Sequence, residues 1–496
     1  MPIALNTATL ITFIAYLLGM LGIGYAAYRA TNNLSDYILG GRRLGSGVAA
    51  LSAGASDMSG WLLLGLPGAI YAGGLSQAWI GIGLLIGAYA NWKIVAPRLR
   101  IYTEQLDDSL TLPDYFERRF GDGSHALRVL TAAIILLFFV FYTASGMVAG
   151  AKLFESSFGM DYTQALWIGA GVIVSYTFMG GFLAVSWTDF VQGILMLLAL
   201  IVAPLVVWYE LGSLDAIISA TKAVSPARLD PMHEVSLVGL LSLFAWGLGY
   251  AGQPHVLARF MAVRSAATVA PARRIAMSWM SFSLLGAMIT GFIGIAYFVG
   301  RPEQASLLAH DPEKVFILLS QIAFNPWIAG MLLAAILAAV MSTIDSQLLV
   351  SSSALTEDFY KVFLHRDAGQ AELVLVGRIG VLVLALLAVS IAYDPNSVVL
   401  ALVSYAWAGL GAAFGPVVWI SLLWSGMTRK GALSGMIAGA TTVIVWSQLH
   451  GGWFDLYELL PGFVVSCVAV VAVSRFEHGP DAATRGDFAR ISKMYP

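Results

Sequence analysis

Cysteine, histidine and charge are all scarce in this chain. A single cysteine, Cys467, in 496 residues excludes an intramolecular disulfide framework. The seven histidines, at 125, 233, 255, 310, 365, 450 and 478, lie almost entirely between apolar runs, and only His255 borders one. That leaves no ligand cluster and no nucleophile–base pair for an intramembrane enzyme. Charged residues make up 11% of the chain, against about 25% in ordinary soluble proteins. A net charge of −2 gives no reason to invoke nucleic acid. "GGRRLGSG" at 40–47 lacks the Lys and hydroxyl of a phosphate loop, and "GLGYAG" at 247–252 has no alternating strand–helix unit around it. Rings of like residues and filter repeats, which a channel would need, are also missing. No Lys or Arg precedes the first apolar run, so that run reads as a retained span rather than a secretory leader.

Apolar sequence is what the chain has in abundance: 58% of residues are hydrophobic and the mean hydropathy is +0.79. A hydrocarbon core of about 30 Å takes roughly 20 apolar residues at a rise of 1.5 Å each. Thirteen runs of that kind predict thirteen transmembrane helices, covering about 7–28, 45–70, 72–95, 126–151, 163–185, 188–209 and 235–256, then 274–299, 326–350, 373–393, 397–424, 430–449 and 453–474. The basic residues alternate with this count. Only Lys152, Lys222, Arg228, Arg301 and Lys314 fall on the outside, whereas the inner connections hold the rest of the 27, among them Arg29, Arg42, Arg128 and Arg259. The expectation is an all-α, multi-pass protein of the plasma (inner) membrane, surrounded by lipid, with its N-terminus outside and its C-terminus cytoplasmic.

Spans two to six and seven to eleven form two sets of five, and an odd number makes the second set enter from the opposite side. The first member of each set has the poorest helical sequence. Span two holds "GASDMSGW", residues 54–61, with a carboxylate between serines and glycines; span seven holds "WGLGYAGQP", residues 246–254. Glycine costs about 1 kcal/mol and proline about 3 kcal/mol inside a helix. Backbone freed at membrane depth is tolerated only where protein or a wet cavity surrounds it. Paired breaks of this kind mark the binding site in inverted-repeat transporters, although glycines also serve close helix packing. The corresponding division is 1–44 as a flanking helix and loop, 45–209 as repeat one, 235–424 as repeat two and 425–496 as two flanking helices and a tail. A third element is span nine, where Ser342 and Thr343 are adjacent hydroxyls beside Ala338 and Ala339. Such a pair commonly bonds back to its own helix; beside the break at Asp57 it also suits an oxygen cage for a monovalent cation. Trp61, Trp246, Tyr142 and Tyr250 offer flat walls for an apolar ring and faces for a cation, or serve packing and the lipid belt.

These stretches, with "GGFLAVSWTD", "AILAAVMST" and "LVSYAWAGLGAAFGPVV", resemble the sodium:solute symporter family along nearly the whole chain. The resemblance implies a five-plus-five inverted-repeat core and sodium-coupled uptake of L-proline, with sodium as the co-transported ion. It implies a sodium site from the carbonyls of Ala55, Met58 and Ala339 and the hydroxyls of Ser342 and Thr343, with Asp57 as the sodium-critical carboxylate. Asp189 then stands near the sodium exit route. The substrate side maps onto Ser59, Gly60, Trp61, Tyr142, Trp246, Tyr250 and Pro254. Asp345 departs from the pattern, and is either a second carboxylate on the ion route or a solvated helix end.

Overall fold

A computed structural model describes residues 7–28, 38–177, 181–233, 235–365, 367–477 and 479–494. Arg29 and the first six residues, on which two of the expectations above rest in part, lie outside that set. Among the described residues every span is helical, and the only strand-like contact is an isolated bridge between Leu44 and Val263. Helices occupy all thirteen expected places. Among the described residues, nine helical runs are long and apolar enough to cross a bilayer by length and composition. The first half of span two and spans five, seven and twelve fall short of that standard. Two of these four are the elements whose sequence carries the breaks.

Burial divides the bundle into a centre and a rim. The apolar stretches of spans nine (from Pro326) and eleven (Val399–Leu423) are 83% buried, against 22% for span one (Thr7–Tyr28). Span nine packs on spans four, six and one; span eleven packs on spans four, twelve and thirteen and on the middle of span seven. Leu198, Leu205, Leu382 and Leu386 stay exposed on the rim helices, as an apolar solvent allows. Glycines set the closest approaches. A Cβ on Gly87 of span three would sit 2.0 Å from the Gly247 carbonyl of span seven, so these two backbones touch directly.

Two details differ from expectation. Span five is described as helix over Tyr162–Thr177, and span six runs Phe182–Leu211, starting from an extended Gly181. "FLAVSWTD" therefore opens span six instead of closing span five, which puts Asp189 inside the bundle. Lys152 is not in an outer loop either. It lies within span four (Ala126–Phe158), buried, and binds Glu313 at 2.8 Å and Asp311 at 3.0 Å. Glu313 in turn accepts the N–H groups of Val399 and Leu400 at 3.0 Å each, satisfying the first turn of span eleven.

Candidate functional site

Span two is helical over Ser46–Asp57, turns out of the helix at Met58 (φ −82°, ψ 72°), and resumes through a wide turn, Trp61–Gly65, into Leu66–Gly73. Leu62 N–H donates to Ser59 O at 3.0 Å and not to the Met58 carbonyl, so the break removes that carbonyl's usual partner. Gly60 allows the turn to nest between spans four and nine, where a Cβ would meet Ala149 at 2.6 Å. Ser59 Oγ accepts the Trp61 N–H at 3.4 Å and so caps the second half.

The break faces span nine on one side. Ser342 Oγ donates to Ala55 O at 2.8 Å and to Ala339 O at 3.1 Å, and Thr343 Oγ1 donates to Ala55 O at 3.4 Å. All of these groups are buried. Two hydroxyls and two carbonyls from separate spans thus converge. Neutral oxygens of this type suit a hard monovalent cation, and no metal-ligating cluster of His, Cys, Asp or Glu occurs among the described residues.

Its other side faces span seven. That span is helical over Leu237–Ala245, tightens to a 3₁₀ turn over Trp246–Gly252, and restarts as Pro254–Ala262. Tyr250 donates its hydroxyl to Asp57 Oδ2 at 2.7 Å. The backbone carbonyl of Asp57 accepts Tyr142 (3.2 Å) and the Trp61 indole N–H (3.3 Å). Asp57 Oδ1 is buried and has no hydrogen-bond partner among the described residues, which is costly for a carboxylate. Trp61 and Trp246 lie 6.3 Å apart, Trp246 stacks on Tyr457 at 5.4 Å, and Tyr250 meets Trp407 edge-on at 5.0 Å. A centroid separation of 6.3 Å is shorter than the roughly 7 Å that two flat rings need to enclose a third at van der Waals distance, so a five-membered ring enters between them only as they part.

The expected residues therefore separate into two adjoining groups. Ala55, Ala339, Ser342 and Thr343 form one. Asp57, Ser59, Trp61, Tyr142, Trp246 and Tyr250 form the other, and Met58 sits at the hinge between them. Pro254 stands one turn beyond Tyr250 along span seven. It lines a narrow cavity of about 30 Å³ with Ile135, Leu349 and Asp358. This meets, at Leu110, Thr111 and Asp358, an open cavity of about 640 Å³ walled by Asp114, Arg118, Arg128 and Lys361.

Asp189 is fully buried. It accepts Ser52 Oγ at 2.7 Å and Arg259 Nη2 at 3.1 Å, and Arg259 also donates to Ser52 Oγ, His255 O and Ser346 Oγ. Counting Arg259 among the inner connections is thus corrected: it lies inside the second half of span seven, tying spans two, six, seven and nine together. Asp345 is fully buried as well, and the reading of it as a solvated helix end falls. A faint signal for Arg259 is present in the sequence. It follows His255 by four residues in a short apolar helix that begins at a proline, so both project from one face. Trp407, Asn91, Gln253 and Tyr457, which hold the span-seven break, carried no such signal.

The sequence profile described as "Sodium:solute symporter family" matches residues 37–439. The chain is 56% identical to a sodium/proline symporter of Escherichia coli, over 99% of this chain and 98% of the relative. It is equally similar, at 56% over the same shares, to a sodium/proline symporter of Salmonella typhimurium. A high-affinity proline transporter of Bacillus subtilis is 53% identical over 95% of this chain and 98% of its own. A solved structure of a sodium-coupled sialic acid symporter, substrate-bound and outward-open, superposes with a TM-score of 0.80 at 17% identity, covering 96% of this chain and 99% of the other. That likeness speaks for the fold. Matched by the profile over most of its length and by relatives at more than half identity, this polytopic all-helical chain belongs to the sodium:solute symporter family.

Proposed function

We propose that this chain is a secondary active transporter that couples sodium entry to L-proline uptake by alternating access across the plasma (inner) membrane. The observation that carries the reading is the meeting of Ser342 and Thr343 with Ala55 O beside the break at Asp57. The names of the relatives support the substrate. Sodium enters as substrate, held by the carbonyls of Ala55, Met58 and Ala339 and the hydroxyls of Ser342 and Thr343. Asp57 compensates its charge from the adjoining group; at an effective dielectric near 20, a charge pair about 6 Å apart is worth about 3 kcal/mol. The ring of proline rests between Trp61, Trp246, Tyr142 and Tyr250, next to Ser59 and Gly60. Asp189 and Asp345 line the route by which sodium leaves, and the cavity at Pro254 is the route for proline.

Repeat one comprises 45–209 and repeat two 235–424, flanked by 1–44 and 425–496. The N-terminus faces outward and the C-terminus the cytoplasm, a reading supported by the excess of basic residues on the inner connections. One sodium moving down a tenfold gradient releases about 1.4 kcal/mol, and a potential of roughly −100 mV adds about 2.3 kcal/mol. Together they sustain a proline gradient of several hundredfold, and the cycle carries net charge because proline is a zwitterion.

The test is uptake of labelled L-proline into proteoliposomes with imposed sodium gradients and potentials. Saturable, sodium-dependent and voltage-stimulated uptake, competed by unlabelled proline, is the expected result. Uptake indifferent to sodium and to voltage would refute the reading.

A further inference from the structure

His255 is the second residue of the helix Pro254–Ala262 and is fully buried. Neither ring nitrogen has a hydrogen-bond partner among the described residues. A neutral imidazole carries one N–H donor and one acceptor, and leaving both unmet in the interior is strongly unfavourable. Arg259, one turn further along the same helix, has no such deficit: it has side-chain partners on three other spans. A phenylalanine would fill the same space without the deficit, because the surroundings are aromatic. The His255 ring stands edge-on to Tyr142 (centroids 5.7 Å apart, 83° between planes) and tilts against Phe139 (5.7 Å).

Position tells what the ring is for. Ile135, Phe139 and Tyr142 follow one stripe of span four. Ile135 and Pro254 line the narrow cavity, and Tyr142 bonds the Asp57 carbonyl. His255 therefore lies between the aromatic group and the inner cavity. It also sits in the first turn of a helix, where backbone dipoles favour an anion. Two independent features, an unmet N–H and a helix start, point to the same ligand chemistry: a carboxylate.

We propose that His255 is a substrate-binding residue, whose N–H receives the carboxylate of the transported amino acid as it leaves the aromatic group toward the inner cavity. This rests on the reading of the chain as a sodium-coupled proline transporter.

Reconstituted wild type, His255→Phe and His255→Asn separate the outcomes. His255→Phe keeps a flat ring against Tyr142 and Phe139 but removes the donor. Its KM for L-proline is expected to rise tenfold to a hundredfold, the usual range for a hydrogen bond to a charged group, with the sodium half-saturation at saturating proline unchanged. His255→Asn restores a donor and brings KM back to within about threefold of wild type. Competition by L-prolinamide, which lacks the carboxylate charge, adds a readout that a packing role would not move. Wild type prefers proline over the amide, and His255→Phe loses about tenfold of that preference. A folded His255→Phe protein with unchanged KM, or one weakened equally toward proline and the amide, would overturn the assignment. In unmutated protein labelled with ¹⁵N-histidine, proline with sodium should shift one buried imidazole signal; no shift overturns the assignment even where the Phe variant does not fold. Wild-type uptake separates the two claims. If it proceeds with sodium while these tests fail, only His255 is wrong, and if it is absent, both readings fall.

Discussion

The breaks in spans two and seven stand side by side, yet they are held open by different chemistry. In span two the freed groups are bonded by side chains of the facing helices: Ser342 and Thr343 reach Ala55 O, and Tyr142 reaches Asp57 O. The span-seven break is instead capped by amides and an indole. Asn91 donates to Tyr250 O at 3.0 Å, Gln253 to Gly249 O at 3.1 Å and Trp407 to Trp246 O at 2.8 Å. Capping by donors covers the carbonyls and leaves the rings of Trp246 and Tyr250 to do the contacting. Hydroxyls can instead turn their lone pairs toward an ion and leave the carbonyl beside it bare. The same topological position in two repeats can thus supply oxygens in one case and apolar walls in the other. Asp57, bound to Tyr250 through one oxygen, is the link between them.

The largest effect should come from that link. Asp57→Asn keeps an acceptor for Tyr250 but loses the charge, and the loss of about 3 kcal/mol raises the sodium half-saturation by roughly two orders of magnitude. Asp57→Glu keeps part of the activity. Sodium titration of uptake with well-inserted protein decides it; near-normal sodium affinity in the Asn variant would reduce Asp57 to a helix cap. Next comes the ion pair behind both breaks. Arg259→Met leaves Asp189 buried without its partner and destabilises the fold by about 3 kcal/mol, and adding Asp189→Asn recovers most of that. Thermal unfolding in detergent should show the midpoint fall and return. Gly249→Ala acts at the span-seven break, where it meets span eleven. Its Cβ would lie 2.0 Å from Trp407 Nε1, the atom that caps Trp246 O, so proline affinity and stability drop by about 2 kcal/mol while sodium affinity holds. Smallest is Asn91→Ala, which uncovers Tyr250 O and raises the proline KM by about fivefold, a loss near 1 kcal/mol. A change in sodium half-saturation larger than that in proline KM for Gly249→Ala or Asn91→Ala would break the division of labour.

Much of the site was legible because its signals are local. A carboxylate flanked by glycines and serines in an apolar run, or two hydroxyls in a row on span nine, can be read without knowing what they face. The buried charges were not legible in that way. Arg259 and Lys152 count as water-facing in any hydropathy pattern, and only their partners reverse that. Those partners, Asp189 and Glu313, lie 70 and 161 residues away in sequence. The boundary between spans five and six was misplaced for a related reason. "FLAVSWTD" is as apolar as what precedes it, and an extended glycine, not a polar residue, starts span six. His255 was visible as the one histidine beside a span, but its unmet nitrogens follow from packing against Phe139 and Tyr142.

On the proposed reading, the oxygens at the span-two break bind sodium and the rings at the span-seven break bind proline. Equilibrium sodium binding to purified protein without proline tests it most directly, comparing the double variant Ser342→Ala/Thr343→Ala with Trp246→Leu. The double variant is expected to lose tenfold or more in sodium affinity, while Trp246→Leu binds sodium within about twofold of wild type and loses proline instead. Sodium affinity preserved in the double variant, or lost with Trp246→Leu, would contradict it.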